Sequence, residues 1–385
     1  MYFFIRFFIN GITSLPCTSC ESAGAHIPFA QSLLDGTIFQ NNPSYFYPVS
    51  AEIILAFFIA LHIPLNLFNV LGVVLLFLSI YILGTRNNFS KGLSFMLAFS
   101  VCTIYNISRD VNSQLVDIYL LIFYTASLIC LQKPKKNLLY FVTTGFFLGM
   151  LIGSKYSAPF YTLFLIIIYG KGLLKKMTPT YMVVFLIPIF AFGLSWYIRN
   201  YVNFQNPFYP QHFLFFKGEV TSPAYEWPYW KIALYYPKEL LNTLISDYMV
   251  WIVPSILILP FTIYLLVKKG VQYILGQKLL LLCVLNLVFF FFLPAPASHS
   301  YNAIVFGIRY SYPALLLIIF LAFSFAQTKK MVGIILLIAF INTALLLLPS
   351  GYHPKLNLII ISLIVTVFYL LRFMHGKQHW VKRIK

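Results

Sequence analysis

The sequence predicts an all-α polytopic membrane protein, and three observations carry that prediction. First, 60% of its 385 residues are hydrophobic and 9% are charged, whereas a soluble domain has about a quarter charged residues. With a mean hydropathy of +0.84, the chain cannot cover itself with polar surface in water. Second, apolar runs such as VLGVVLLFLSIYILG and LLLLCVLNLVFFFFL recur along it, as spans of a bilayer require. Third, charge is segregated. Loops at 85–92, 132–137, 170–180, 268–278, 327–330 and 372–385 hold 18 of the 27 Lys and Arg and no acid. All 9 Asp and Glu fall in the alternate loops and their flanking helix ends. This is the positive-inside pattern, reinforced by attraction to anionic lipid. The net charge of +18 therefore marks orientation among membrane lipids. A nucleic-acid footprint would need a basic face on a water-soluble domain, so no nucleic-acid partner is expected.

Taken in order, residues 1–16 give a short first helix interrupted by Arg6. A truncated helix is the preferred reading, with a misplaced start or a short tilted helix as variants. A signal peptide fits poorly, because the basic n-region and the cleavage site are weak. Residues 20–62 form an outer loop with two juxtamembrane helices. HIPFAQSLLDG puts Ile27, Ala30, Leu33 and Leu34 on one helical face, with Gly36 as a stop. YPVSAEIILAFFIALHIP is too short to span and is bounded by Pro48 and Pro64. Spans follow at 66–84, 89–105, 116–131, 138–154, 157–169, 181–198, 249–267, 279–293, 310–326, 331–348 and 356–372. With the first helix this makes about 11–12 transmembrane helices in one transmembrane domain, 1–385. Residues 199–248 form a large outer loop rich in Pro, Trp and Tyr, suited to headgroups.

The chemistry-bearing residues lie at the non-cytosolic ends. Cys17 and Cys20 form a Cys-x-x-Cys pair without the βαβ setting of a redox motif and without further zinc ligands. They have no special role or form a local disulfide. Cys102, Cys130 and Cys283 lie in spans and read as small core residues. Glu21 is an acid beside an apolar segment, where an ionisable group is costly unless used or solvated. In YNISRDVNSQLVDIYLL, Asp110, Gln114 and Asp117 share one helix face. The helix dipole accounts for Asp110 but poorly for Asp117, which already borders the apolar run. Lys155, Arg109, Arg199 and Arg309 break the positive-inside pattern. They snorkel, or they converge as an anion site for a phosphate whose lipid tail stays in the membrane.

Together these stretches resemble the GT-C fold membrane glycosyltransferases that use polyprenyl-phosphate sugars, such as the protein mannosyltransferases and aminoarabinose transferases. The resemblance runs from residue 21 to about 313. It rests on Glu21 with His26-Ile27-Pro28, Tyr47-Pro48 followed by Glu52, Asp117 at a span start, Gly153-Ser154-Lys155-Tyr156, and WYIRNYVNFQNPFYP. The family usually carries Asp at Glu21, Tyr at Ala25 and Gly at Gln205. The resemblance implies transfer of a sugar from a polyprenyl-phosphate donor to a lipid, glycan or protein acceptor. It implies Glu21 as the catalytic base, and Lys155, Arg199, Arg309 and His26 as donor-phosphate or substrate ligands. Asp117 would orient Lys155, bind the acceptor or hold a divalent ion, with Asp110 a weaker candidate. No other cofactor is implied. The expected location is a bacterial inner membrane, with the site on the extracytoplasmic face. The rival readings are a lipid or sugar transporter or flippase, which would carry inverted repeats and mid-depth charges, and a non-catalytic subunit of an envelope-polymer assembly.

Overall fold

A computed structural model describes residues 25–40, 47–111, 113–212, 215–218, 228–293, 308–327 and 332–346. Residues 1–16, Cys17, Cys20, Glu21 and the span expected at 356–372 lie outside the described residues. Among the described residues the chain is helical, with no β-strand.

The first two helices, α1 (Ile27–Leu34) and α2 (Glu52–Ala60), pack on each other. They are the two short juxtamembrane helices that the apolar spacing predicts. Pro28 sits in the first turn of α1, where its missing N–H costs nothing. Gly36 follows the helix with φ 72°, a left-handed turn that glycine adopts without strain. Then come α3 (Leu67–Arg86), α4 (Lys91–Cys102), the one-turn α5 (Tyr105–Asp110), α6 (Asp117–Gln132), α7 (Leu138–Ile152) and α8 (Ala158–Leu174). The helices α4 and α7 open on side-chain caps: Ser90 accepts from the Leu93 amide and Asn137 from the Tyr140 amide.

The helix expected at 181–198 is longer and broken. It runs as α9 (Pro179–Pro188), a π-helical turn Ile189–Leu194, and α10 (Ser195–Phe204). Pro188 closes α9, since its ring and missing N–H interrupt a regular helical ladder. The region expected as one loop, 199–248, contains α11 (Tyr229–Tyr235) and α12 (Pro237–Tyr248). The chain continues with α13 (Ile252–Lys269), α14 (Val271–Gly276), α15 (Lys278–Phe292), α16 (Tyr312–Ala326) and α17 (Val332–Leu346).

The helix α6 lies at the centre, against α3, α7, α8 and α16. It is buried nearly all round, as a helix that is apolar on every face must be. Toward the outside, Leu139, Ile167 and Val267 are exposed, which suits lipid and not water. Four helical stretches are long and apolar enough to cross a membrane: Leu67–Arg86, Pro179–Phe204, Pro237–Lys269 and Ile308–Ala326. This is an integral membrane protein.

One seam has no side-chain layer. Gly145 and Gly149 on α7 and Gly153 at its C-terminal cap stand four residues apart. A Cβ on Gly145 would strike the Phe185 carbonyl, one on Gly149 would lie 2.5 Å from the Pro188 carbonyl, and one on Gly153 would strike Ser50 and the Phe192 carbonyl. Small residues let helix backbones meet in a membrane, where packing replaces the hydrophobic drive. Cys102 and Cys283 are buried and unbridged, as small core residues are.

Candidate functional site

The local sequence fixes Asp117 before it meets any partner. Asp117 is the first residue of α6, where a negative charge meets the helix dipole. The segment ahead of it is clamped by Asn69 on α3. Its amide donates to the carbonyls of Asp110 and Ser113 at 2.8 Å and of Leu115 at 3.0 Å. One turn into α6, Tyr119 donates to the Phe68 carbonyl at 2.7 Å.

Two cations converge on that carboxylate. Lys155, on the turn between α7 and α8, places Nζ 2.5 Å from Asp117 Oδ1. Arg309, on the short 3-10 turn Ile308–Ser311 before α16, places Nη1 3.1 Å from Oδ2. The turn carrying Lys155 is held by the Tyr197 hydroxyl, which donates to the carbonyls of Ile152 and Lys155. Lys155 also lies 4.9 Å from the centre of the Tyr310 ring. Tyr161 donates to the Tyr310 carbonyl and Tyr248 to Ser311, which pins the turn that carries Arg309. The Arg309 and Asp117 side chains are almost wholly buried and Lys155 is 13% exposed. Taken alone, two cations and one carboxylate carry a formal charge of +1. Burying such a group is costly unless a further anion joins it.

Asp110 lies beside this triad. It is buried, and Oδ2 has no hydrogen-bond partner among the described residues. Burial first, then the charge of Asp117, pushes its carboxyl up to about 7, against the opposing pull of Arg309 and Arg109. The Arg109 contact, at 3.7 Å from a side chain 38% exposed, is too solvated to offset that. Asp247 on α12 accepts from Asn106 on α5, tying the segment that carries Asp110 to the bundle.

His26 joins from the juxtamembrane side. It lies at the start of α1 and within electrostatic range of Asp117. Its Nδ1 is 2.7 Å from Oε1 of Glu52, the first residue of α2, and both side chains are buried.

Arg199 stands elsewhere. Its guanidinium donates to the carbonyls of Tyr47 at 3.0 Å and Ile38 at 3.4 Å and to Asn200 Oδ1 at 2.8 Å, and it lies over the Trp196 ring. Trp196 donates to Ser50 at 2.7 Å, and the Ser50 amide donates to the Gly153 carbonyl at 2.8 Å. Asn200 donates to Tyr156, and Tyr156 to the Tyr209 carbonyl. WYIRN and NPFYP thus form a clasp that holds Ile38, Tyr47 and Ser50. An apolar groove of about 800 Å³ runs beside it, lined by Phe39, Leu186, Phe190 and Ile198, with Arg199 at its rim.

Of the residues singled out in the sequence, the structure therefore gathers Asp117, Lys155, Arg309, Asp110 and His26. It sets Arg199 in a separate cluster. Among the described residues no group of three His, Cys, Asp or Glu side chains is arranged to hold a metal ion, so no chemical step is assigned to one. The contacts of Glu52 with His26 and of Asp247 with Asn106 have no signal in local spacing.

The all-helical bundle with its short juxtamembrane helices has the architecture of a membrane protein of the GT-C fold. The comparison with solved structures shows that fold directly. ArnT from Cupriavidus metallidurans, an aminoarabinose transferase, matches in its undecaprenyl phosphate-bound crystal structure with a TM-score of 0.57 and 14% identity. The match covers 96% of this chain and 69% of that one. The apo structure of the same protein matches with a TM-score of 0.55 and 12% identity, covering 96% and 71%. No family model and no curated protein matches the chain.

Proposed function

We propose that the chain is a membrane glycosyltransferase. It moves a sugar from a polyprenyl-phosphate donor to a lipid, glycan or protein acceptor at the non-cytosolic face of a bacterial inner membrane. The observation that carries this reading is the convergence of Lys155 and Arg309 on the carboxylate of Asp117. Two cations already oriented by a carboxylate suit a lipid phosphate, and the ArnT structure with undecaprenyl phosphate supports that class of donor.

In the reaction the acceptor hydroxyl or amine attacks the anomeric carbon. The bond from that carbon to the phosphate oxygen breaks, and the phosphate leaves with the electron pair. Lys155 and Arg309 meet the charge growing on that oxygen as fixed, already oriented cations. Asp117 aims both of them. Glu21 takes the acceptor proton as the new bond forms. Phosphate needs little help from an acid. His26 is a further hydrogen-bonding group for substrate, and Arg199 secures the segment that leads into α2. Asp110 frames the triad.

The test is transfer of labelled sugar from polyprenyl-phosphate donors in membranes. Glu21→Gln at normal expression is expected to abolish it, and retained wild-type turnover overturns the base assignment. Absence of transfer by the wild-type protein, with envelope glycans and lipids unchanged in a deletion strain, overturns the function.

A further inference from the structure

The apolar groove beside Arg199 takes no part in sugar transfer as read above, yet it is formed for an occupant. Its volume of about 800 Å³ is that of a small-ligand site. Two stretches of chain build it. Leu186, Ile187, Phe190 and Ile198 line it along α9, the π-helical turn and α10. Phe39 lines it from the short 3-10 turn Thr37–Phe39 and stacks on Trp196, with ring centres 6.0 Å apart. At least half of each of Ile187, Phe190, Ile198 and Phe39 is exposed. The groove therefore opens sideways from the span Pro179–Phe204, where acyl chains lie.

Two polar side chains reach the lining. Ser195 spends its hydroxyl on the Ala191 carbonyl at 2.9 Å. Arg199 is the one charged group there, and its fork is not exhausted. Nε donates to Asn200, and Nη2 to Asn200 and Tyr47, whereas Nη1 donates only to Ile38, at 3.4 Å. An N–H on Nη1 remains for a ligand. All these partners are neutral, so among the described residues no carboxylate cancels the guanidinium charge. We propose that the groove binds an anionic phospholipid of the bilayer, with its phosphate on Arg199 and an acyl chain along α9 and α10. A phosphate diester offers Nη1 a charge-assisted hydrogen bond. An anionic headgroup brings the unit charge that the site lacks, whereas a zwitterionic headgroup brings its own cation. The layout is that of the lipid: Arg199 stands near the end of the span, where headgroups lie, and the apolar lining runs from it into the span. Seated there, the lipid touches Phe39 and α10 together and reinforces the clasp on Ile38 and Tyr47. The site requires an integral membrane protein and no transferase activity.

The test compares nanodiscs of phosphatidylcholine alone with nanodiscs that also contain phosphatidylglycerol. Wild type is expected to melt about 2–4 °C higher with phosphatidylglycerol, and native mass spectrometry to find that lipid bound after extraction in detergent. Ala191→Trp fills the groove and leaves the guanidinium bonds in place, and Arg199→Gln removes the charge. Both are expected to lose the increment and the bound lipid, with Ala191→Trp melting as wild type does in phosphatidylcholine alone. Ile187→Trp, on the same lining, repeats the test if Ala191→Trp does not fold. Lys171→Gln, at an exposed cation of α8, controls for general surface charge and should keep the increment. No increment in wild type, or one that survives in the groove variants, overturns the inference. Displacement of the bound lipid by equimolar polyprenyl phosphate overturns it too, since the groove would then belong to the sugar donor. None of these readouts uses sugar transfer, so the lipid site and the transferase reading stand or fall separately.

Discussion

Two arginines carry the same sequence signal and end in opposite surroundings. Arg199 and Arg309 each break the positive-inside pattern at the end of a span, and each is buried. Arg309 faces a carboxylate and shares it with Lys155. Arg199 faces carbonyl oxygens of Tyr47 and Ile38 and the amide of Asn200. A guanidinium among neutral acceptors is a multipoint fastener, because its planar fork of donors matches several carbonyls at once. A guanidinium and an ammonium on one carboxylate make an electrostatic device. Neutral partners mark the framework, and charges set against each other mark the site.

The sharpest way to break this contrast is Asp117→Asn. It leaves Lys155 and Arg309 buried with their shared charge removed, which is expected to cost about 3–5 kcal/mol and to abolish sugar transfer. Thermal unfolding and the transfer assay check both, and normal turnover would refute the role of the triad. Arg199→Lys keeps the charge and loses the fork. It should destabilise by about 1–3 kcal/mol, the cost of buried acceptors left unmade, with kcat per folded molecule retained. A collapse of kcat at unchanged stability would move Arg199 into the phosphate site.

A third test uses pH. The Asp110 carboxyl, pushed up to about 7, keeps its proton in the folded state after the unfolded chain has lost its own near the ordinary value of about 4. Between those values the folded state binds more protons, so stability falls as pH rises from about 4 to about 7 and is level above that. Asp110→Asn removes the dependence. Its melting temperature should exceed that of wild type at pH 8 and converge with it at pH 4. The smallest effect is at Gln205, which holds φ 55° at the end of the clasp helix. Gln205→Gly should stabilise by about 1 kcal/mol without touching transfer, and loss of stability would show that the Gln205 side chain matters more than its backbone.

Hydropathy made the spans legible. Ten of the eleven drawn after residue 62 correspond to helices among the described residues. The break in the positive-inside pattern set Lys155, Arg199 and Arg309 on the side of Asp117; the structure brings Lys155 and Arg309 to Asp117 and holds Arg199 on the carbonyls of Tyr47 and Ile38. What stayed hidden depends on distance along the chain. Asn106 and Asp247 are 141 residues apart, and no local period links them. Helix α10 and the helices α11 and α12 were hidden for another reason. They are amphipathic and lie where Pro, Trp and Tyr suggest a headgroup loop. The glycines at 145, 149 and 153 are plain in GFFLGMLIG, but which backbone they receive follows only from the packing of α7 on α9.

That glycine seam has a mechanical consequence. Where backbones touch directly, no rotamer stands between them to absorb a displacement, and packed interfaces are bistable, not continuously deformable. The α7–α9 seam and the Ser50 backbone docked on Gly153 leave no side chain to yield between them. A displacement elsewhere in the bundle is taken up at contacts made through flexible side chains.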